Sequence, residues 1–139
     1  MLFKFMRTLA RETLFKIIFA SQFTGGVDSG FKSALYKAEK VAGNDAEYCD
    51  RVLNIIDAKR EEFTVILDKH SRLFPESGLF PADKSILFIA LAEILYTDDI
   101  PDAVAVNEAA NIASKYSSEK SASFVSGILS EIIREKKNV

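Results

Sequence analysis

Residues 82–97 read ADKSILFIALAEILYT. Within them Ile86, Leu87, Ile89, Ala90, Ile94 and Leu95 recur at the steps of a helix rather than in the strict alternation of a strand. The strongly apolar run, Ile86 to Ala92, falls far short of the roughly 20 residues that cross a bilayer. Toward the carboxyl end, Pro101 suits the first position of a fifth helix carrying Val104, Ala105, Ala109, Ile112, Ala113 and Tyr116. Ser117-Ser118 then offers a cap for a sixth helix with Phe124, Val125, Ile128, Leu129, Ile132 and Ile133. Arg134, Lys136 and Lys137 complement the negative end of that helix. Toward the amino end lies a loop with Pro75, Gly78 and Pro81, preceded by a long helix over about 45–71 opened by Asn44 and Glu47 as a capping pair. A helix over about 30–42 stops at Gly43, and 24–30 forms a connector. The first helix, about 2–22, carries a stripe of Leu2, Met6, Leu9, Ala10, Thr13, Leu14 and Ile17. The fold class expected is all-α: a single-domain bundle of six to seven helices over 1–139, in two packed helical subdomains of about 1–72 and 81–139.

Composition narrows the chemistry. A chain of 139 residues, 48% hydrophobic and 27% charged, has the size and make-up of one globular domain. Cys49 and His70 are single, which removes a disulfide scaffold and a Cys/His zinc site. They share the third helix 21 residues apart, about 31 Å along its axis, too far for a Cys/His nucleophile pair. Asp57 and Glu61, and the Asp98-Asp99 turn, read as solvated polar features rather than acid–base pairs. Gly25-Gly26 lacks the Gly-Lys-Ser/Thr of a phosphate loop. No enzyme, metal or cofactor is expected. Charged residues interrupt every apolar window of the amino end, so no signal peptide is expected and the location expected is cytoplasmic.

Formal charge is −2 overall but unevenly spread. Residues 1–23 carry Lys4, Arg7, Arg11 and Lys16 against Glu12, a net of +3, which leaves fourteen cations against nineteen anions, or −5, elsewhere. Lys4, Arg7 and Arg11 fall within about 60° on a helical wheel, with Thr8 in the same stripe. Three readings fit such a ridge: contact with successive RNA phosphates, a membrane-surface helix, or a plain solvated face. On the sixth helix, Lys120, Ser121, Ser123, Ser126 and Gly127 surround Phe124. An aromatic ring beside a cation, hydroxyls and a glycine suits stacking on an unpaired base. The alternative is a core phenylalanine with Gly127 at a tight helix crossing.

Several motifs agree in order with one family. Asp83-Lys84-Ser-Ile-Leu87, Ala90-Leu-Ala-Glu93-Ile-Leu-Tyr96, Ile100-Pro101, Val104-Ala-Val-Asn107-Glu108-Ala109, Tyr116 and Ser121-x-x-Phe124-Val125-x-Gly127-Ile-Leu129 resemble the NusB family of bacterial transcription antitermination factors. Ala10-Arg11-Glu12 and Gln22 resemble its first helix. The resemblance is dense over about 81–131 and fair over 7–23. It implies a helical domain that binds single-stranded boxA-like RNA of ribosomal RNA leaders together with NusE, a small-subunit ribosomal protein, and so joins the RNA polymerase elongation complex indirectly. It places RNA contacts at Arg7, Thr8, Leu9 and Arg11, and at Phe124, Val125, Ser126 and Gly127, and partner contacts at Phe19 and Asp83. Lys4, Lys120 and Ser123 complete the RNA-binding set expected here.

Three departures qualify the transfer. The family's arginine cluster is Arg7-Thr8-Leu9 here, Ser126 replaces the usual Asn, and Lys120 stands where an acidic residue is common. Few cations imply a shallow salt dependence and weak RNA binding without the partner. The alternative function is a helical protein-interaction scaffold of the same fold with little or no RNA binding. A homodimer is a further option if the first helix exposes an apolar patch; no membrane partner is expected.

Overall fold

The computed structural model describes residues 2–71 and 79–137, with side chains from Arg7 onward. Six helices and no strand are present among the described residues. They are α1 (Leu2–Ser21), α2 (Ser29–Ala38), α3 (Asn44–His70), α4 (Pro81–Tyr96), α5 (Asp102–Tyr116) and α6 (Glu119–Lys137). Apart from the end of α2, their bounds follow the periodicity closely. The whole Pro75–Gly78 stretch lies outside the described residues. Packing groups the chain into two compact units, Met1–Asn54 and Ile55–Val139, so the boundary falls inside α3.

In the first unit, α1 buries Ala10, Leu14, Phe15, Ile17 and Ile18, one continuous helix face. Leu9, expected in that stripe, is instead 44% exposed, and the side chains of Leu2 and Met6 lie outside the described residues. Asp28 caps α2 by accepting from the Phe31 N–H at 2.8 Å. At the other end of α2, Glu39 accepts from Thr13 Oγ1 at 2.8 Å and pairs with Lys16 Nζ at 2.6 Å, which ties α2 to α1.

The expected stop of α2 at Gly43 comes too late. The helix ends at Ala38 because Lys40 turns into the left-handed region (φ 59°), and the Val41 N–H closes back on the Tyr36 carbonyl at 2.8 Å. That is a Schellman closure with lysine where glycine is usual. Gly43, also left-handed, turns the chain into α3, and its carbonyl accepts the Glu47 N–H at 3.0 Å.

In the second unit, α4 is buried on nearly every side, from Asp83 and Ser85 through Ile94. A helix apolar all round must be covered all round. It packs against α5 and α6, while Phe63 of α3 meets Phe88 and Tyr96 with ring centroids 6.1 and 6.0 Å away. Lys59 breaks the helical dihedrals of α3 (φ −113°, ψ 15°). Pro101 serves as the cap of α5 rather than its first residue, and its carbonyl accepts the Ala105 N–H at 3.1 Å. Ser118 caps α6: its Oγ accepts the Ser121 N–H at 3.0 Å.

Candidate nucleic-acid interface

On α6 the core-facing residues are Ser121, Val125, Ile128, Leu129 and Ile132. Val125 is fully buried and belongs to the core, so it is not a surface contact as the resemblance implied. Phe124 and Ser126 are half-buried, and Lys120, Ser123 and Gly127 are exposed. Phe124 therefore sits at the edge of the core with one side toward solvent, flanked one turn away by Lys120 and by Gly127. A Cβ placed on Gly127 would meet nothing within 4 Å. The tight-crossing explanation for this glycine is thus overturned. Its backbone lies open one turn from Phe124 on the same helix. At the end of α5, Tyr116 is 37% exposed with Lys115 Nζ 5.4 Å from its ring. The sequence places Tyr116 both in the apolar pattern of the fifth helix and among the family motifs, but its ring is partly open to solvent.

On α1 the cationic ridge is only partly as expected. The Lys4 side chain lies outside the described residues. Arg7 and Thr8 are half-exposed. Arg11, expected to meet solvent, is 3% exposed, a correction to the wheel. Its guanidinium lies 5.4 Å from the ring of Tyr48, a residue of α3 that is itself buried. The same ring carries Arg7 at 4.3 Å. Arg7 Nε also donates to Asp45 Oδ1 at 3.4 Å. A wheel drawn for one helix cannot show a partner on another, so it turns Arg11 outward and gives no sign of Tyr48 and Asp45 on α3.

Phe19 is 36% exposed and tilts against Phe15 and Phe23 at 5.9 and 5.3 Å, with Phe23 at 66% exposure. Asp83, expected on a partner surface, is 4% exposed instead. Its Oδ2 accepts from Ser121 Oγ at 3.3 Å, Ser121 Oγ lies 2.8 Å from Ser117 Oγ, and Oδ1 is buried without a hydrogen bond. Burial pushes this carboxyl above its usual range, and the Ser121 hydroxyl offsets part of the rise. The folded state thus disfavours the carboxylate, a penalty present above the raised value and relieved as pH falls through it. Asp83→Asn should stabilise the chain at pH 7 by on the order of 1 kcal/mol, with the gain shrinking toward pH 4. Urea midpoints for both proteins at the two pH values test this.

Cys49 is buried, its thiol donates to the Ala10 carbonyl at 3.5 Å, and burial pushes it up to about 12, so it is no nucleophile at neutral pH. No helix is long and apolar enough to cross a membrane among the described residues.

The sequence model of the NusB family matches residues 7–134. The chain belongs to the NusB family. A transcription antitermination protein NusB of Finegoldia magna is 32% identical over 133 residues, 95% of this chain and 96% of that protein. The NusB of Clostridium kluyveri is 41% identical over 93 residues, 67% of this chain and 60% of that protein. The fold matches the crystal structure of antitermination factors NusB and NusE in complex with dsRNA, with a TM-score of 0.82 at 22% identity over 93% of this chain and 96% of that one. The all-helical NusB fold expected from the residue motifs is therefore the one found.

Proposed function

We propose that this chain is a transcription antitermination factor that binds boxA-type RNA of nascent ribosomal RNA leaders together with NusE. Through that assembly it joins the RNA polymerase elongation complex in the cytoplasm, and it catalyses no reaction. The observation that carries the reading is the family match across residues 7–134. The chemistry of two surfaces supports it, one in each unit. The α6 surface offers Phe124 for stacking beside Lys120, Ser123, Ser126 and Gly127; the α1 surface offers Arg7 and Thr8 for phosphates. The exposed Phe19–Phe23 edge suits an apolar protein contact and is assigned to NusE. Asp83 and Arg11, both buried, act from within rather than by touching partner or RNA.

The test is a titration of labelled boxA RNA with the chain, with and without NusE. RNA, chain and NusE should form a ternary complex far tighter than the RNA complex of the chain alone. With Arg11 withdrawn from solvent, two or three phosphates are neutralised by this chain, so its own log–log salt slope should lie at about −1.4 to −2. A complex with NusE that gains nothing from RNA would instead establish the scaffold function.

A further inference from the structure

Arg7 and Arg11 are one turn apart on α1, and Asp45 and Tyr48 are three residues apart on α3, so each pair shares a helix face. The two pairs interlock. Arg7 lies 4.3 Å from the Tyr48 ring and reaches Asp45 Oδ1 through Nε, while Arg11 sits 5.4 Å from the same ring. The Arg7 side chain keeps 29% exposure, whereas that of Asp45 keeps 15% and Tyr48 as a residue 3%. We propose that Tyr48 and Asp45 are positioning residues that hold the Arg7 guanidinium in a fixed orientation for an RNA phosphate; this rests on the RNA-binding function proposed above.

The physical argument turns on which donors are used. A guanidinium has five N–H groups in a planar fork. The bond to Asp45 engages Nε, and the two terminal NH2 groups, which grip a phosphate side by side, lie beyond it. A ring face attracts the cation without cancelling its charge. An unrestrained arginine loses much rotamer freedom when it binds; one already clamped between a ring and a carboxylate has lost it during folding. Arg11, buried against the other contact of the ring, supports Tyr48 rather than RNA.

A competing account makes Asp45 a decoy that neutralises Arg7 and weakens RNA binding. The two differ in sign. Asp45→Asn changes the net charge from −2 to −1, which by charge alone favours RNA. Positioning predicts the reverse, affinity for boxA RNA in the presence of NusE falling about three- to tenfold. Tyr48→Phe should keep the parent affinity and Tyr48→Leu should lose a similar factor. Arg7→Lys, with its charge but no fork, should also bind more weakly. In an Arg7→Ala background neither Asp45→Asn nor Tyr48→Leu should lower affinity further, a result that general loss of structure would not give. The proposal is overturned if Asp45→Asn binds RNA as well as the parent or better, or if its effect persists without Arg7. If Arg7→Ala itself leaves binding unchanged, Arg7 is no RNA contact and the α1 part of the proposed function falls with it.

Discussion

Phe124→Ala is expected to weaken boxA RNA binding by roughly five- to hundredfold. The figure follows from base–aromatic stacking, worth about 1–3 kcal/mol per base by alanine replacement. The ring is half-buried at the rim of α6, with the open Gly127 backbone on one side and exposed Lys120 on the other. Folding and stacking contributions separate by choice of side chain. Phe124→Tyr keeps a π-face and should retain near-parental affinity. Phe124→Leu keeps apolar bulk at the core edge but offers no flat face, so it should fold like the parent and bind like alanine. Fluorescence anisotropy with labelled RNA reads the affinity, and a thermal melt reads the fold. Leucine binding as tightly as phenylalanine would mean that Phe124 serves packing alone.

The largest effect on stability should come from Phe63→Ala. Phe63 is fully buried and meets Phe88 and Tyr96 at 6.1 and 6.0 Å. Truncation of a buried phenylalanine typically costs about 3–5 kcal/mol, transfer loss and cavity together. A domain of this size holds only about 5–15 kcal/mol in total, so the variant should lose roughly a fifth or more of its stability. The urea midpoint should fall accordingly with an unchanged slope. Phe63→Leu should recover most of the loss, since it refills much of the space. A loss near zero for alanine would place Phe63 outside the core.

Most helices were legible because they alternate their faces at a period that no strand shares, while α4, apolar all round, was legible from its length and its helical spacing. The cap at Ser118 and the cation-rich end of α6 were readable for the same reason: the signals are local. What could not be read was tertiary. Arg11 falls in a cationic stripe on the wheel, yet it is buried, with its guanidinium 5.4 Å from the ring of Tyr48, 37 residues onward. Asp83 has the charge of a surface residue, yet Ser121 across the unit receives it. The early end of α2 depends on lysine adopting a left-handed conformation that composition assigns to glycine. The break at Lys59 has neither proline nor glycine to announce it. Phe124 was legible as a candidate from the cation, hydroxyls and glycine around it, with a core phenylalanine as the alternative, and the resemblance pointed to the same position.

The bare backbone at position 127 carries an evolutionary implication. With nothing within reach of a methyl group there, Gly127→Ala should raise the melting temperature, since alanine is favoured in a helix interior by up to ~1 kcal/mol. The same methyl would stand in the approach to the neighbouring ring and lower RNA affinity. Breeding this protein for heat tolerance alone would thus enrich a hardier but deafer molecule, and the residue that looks most improvable by thermal screening is the one purifying selection should guard.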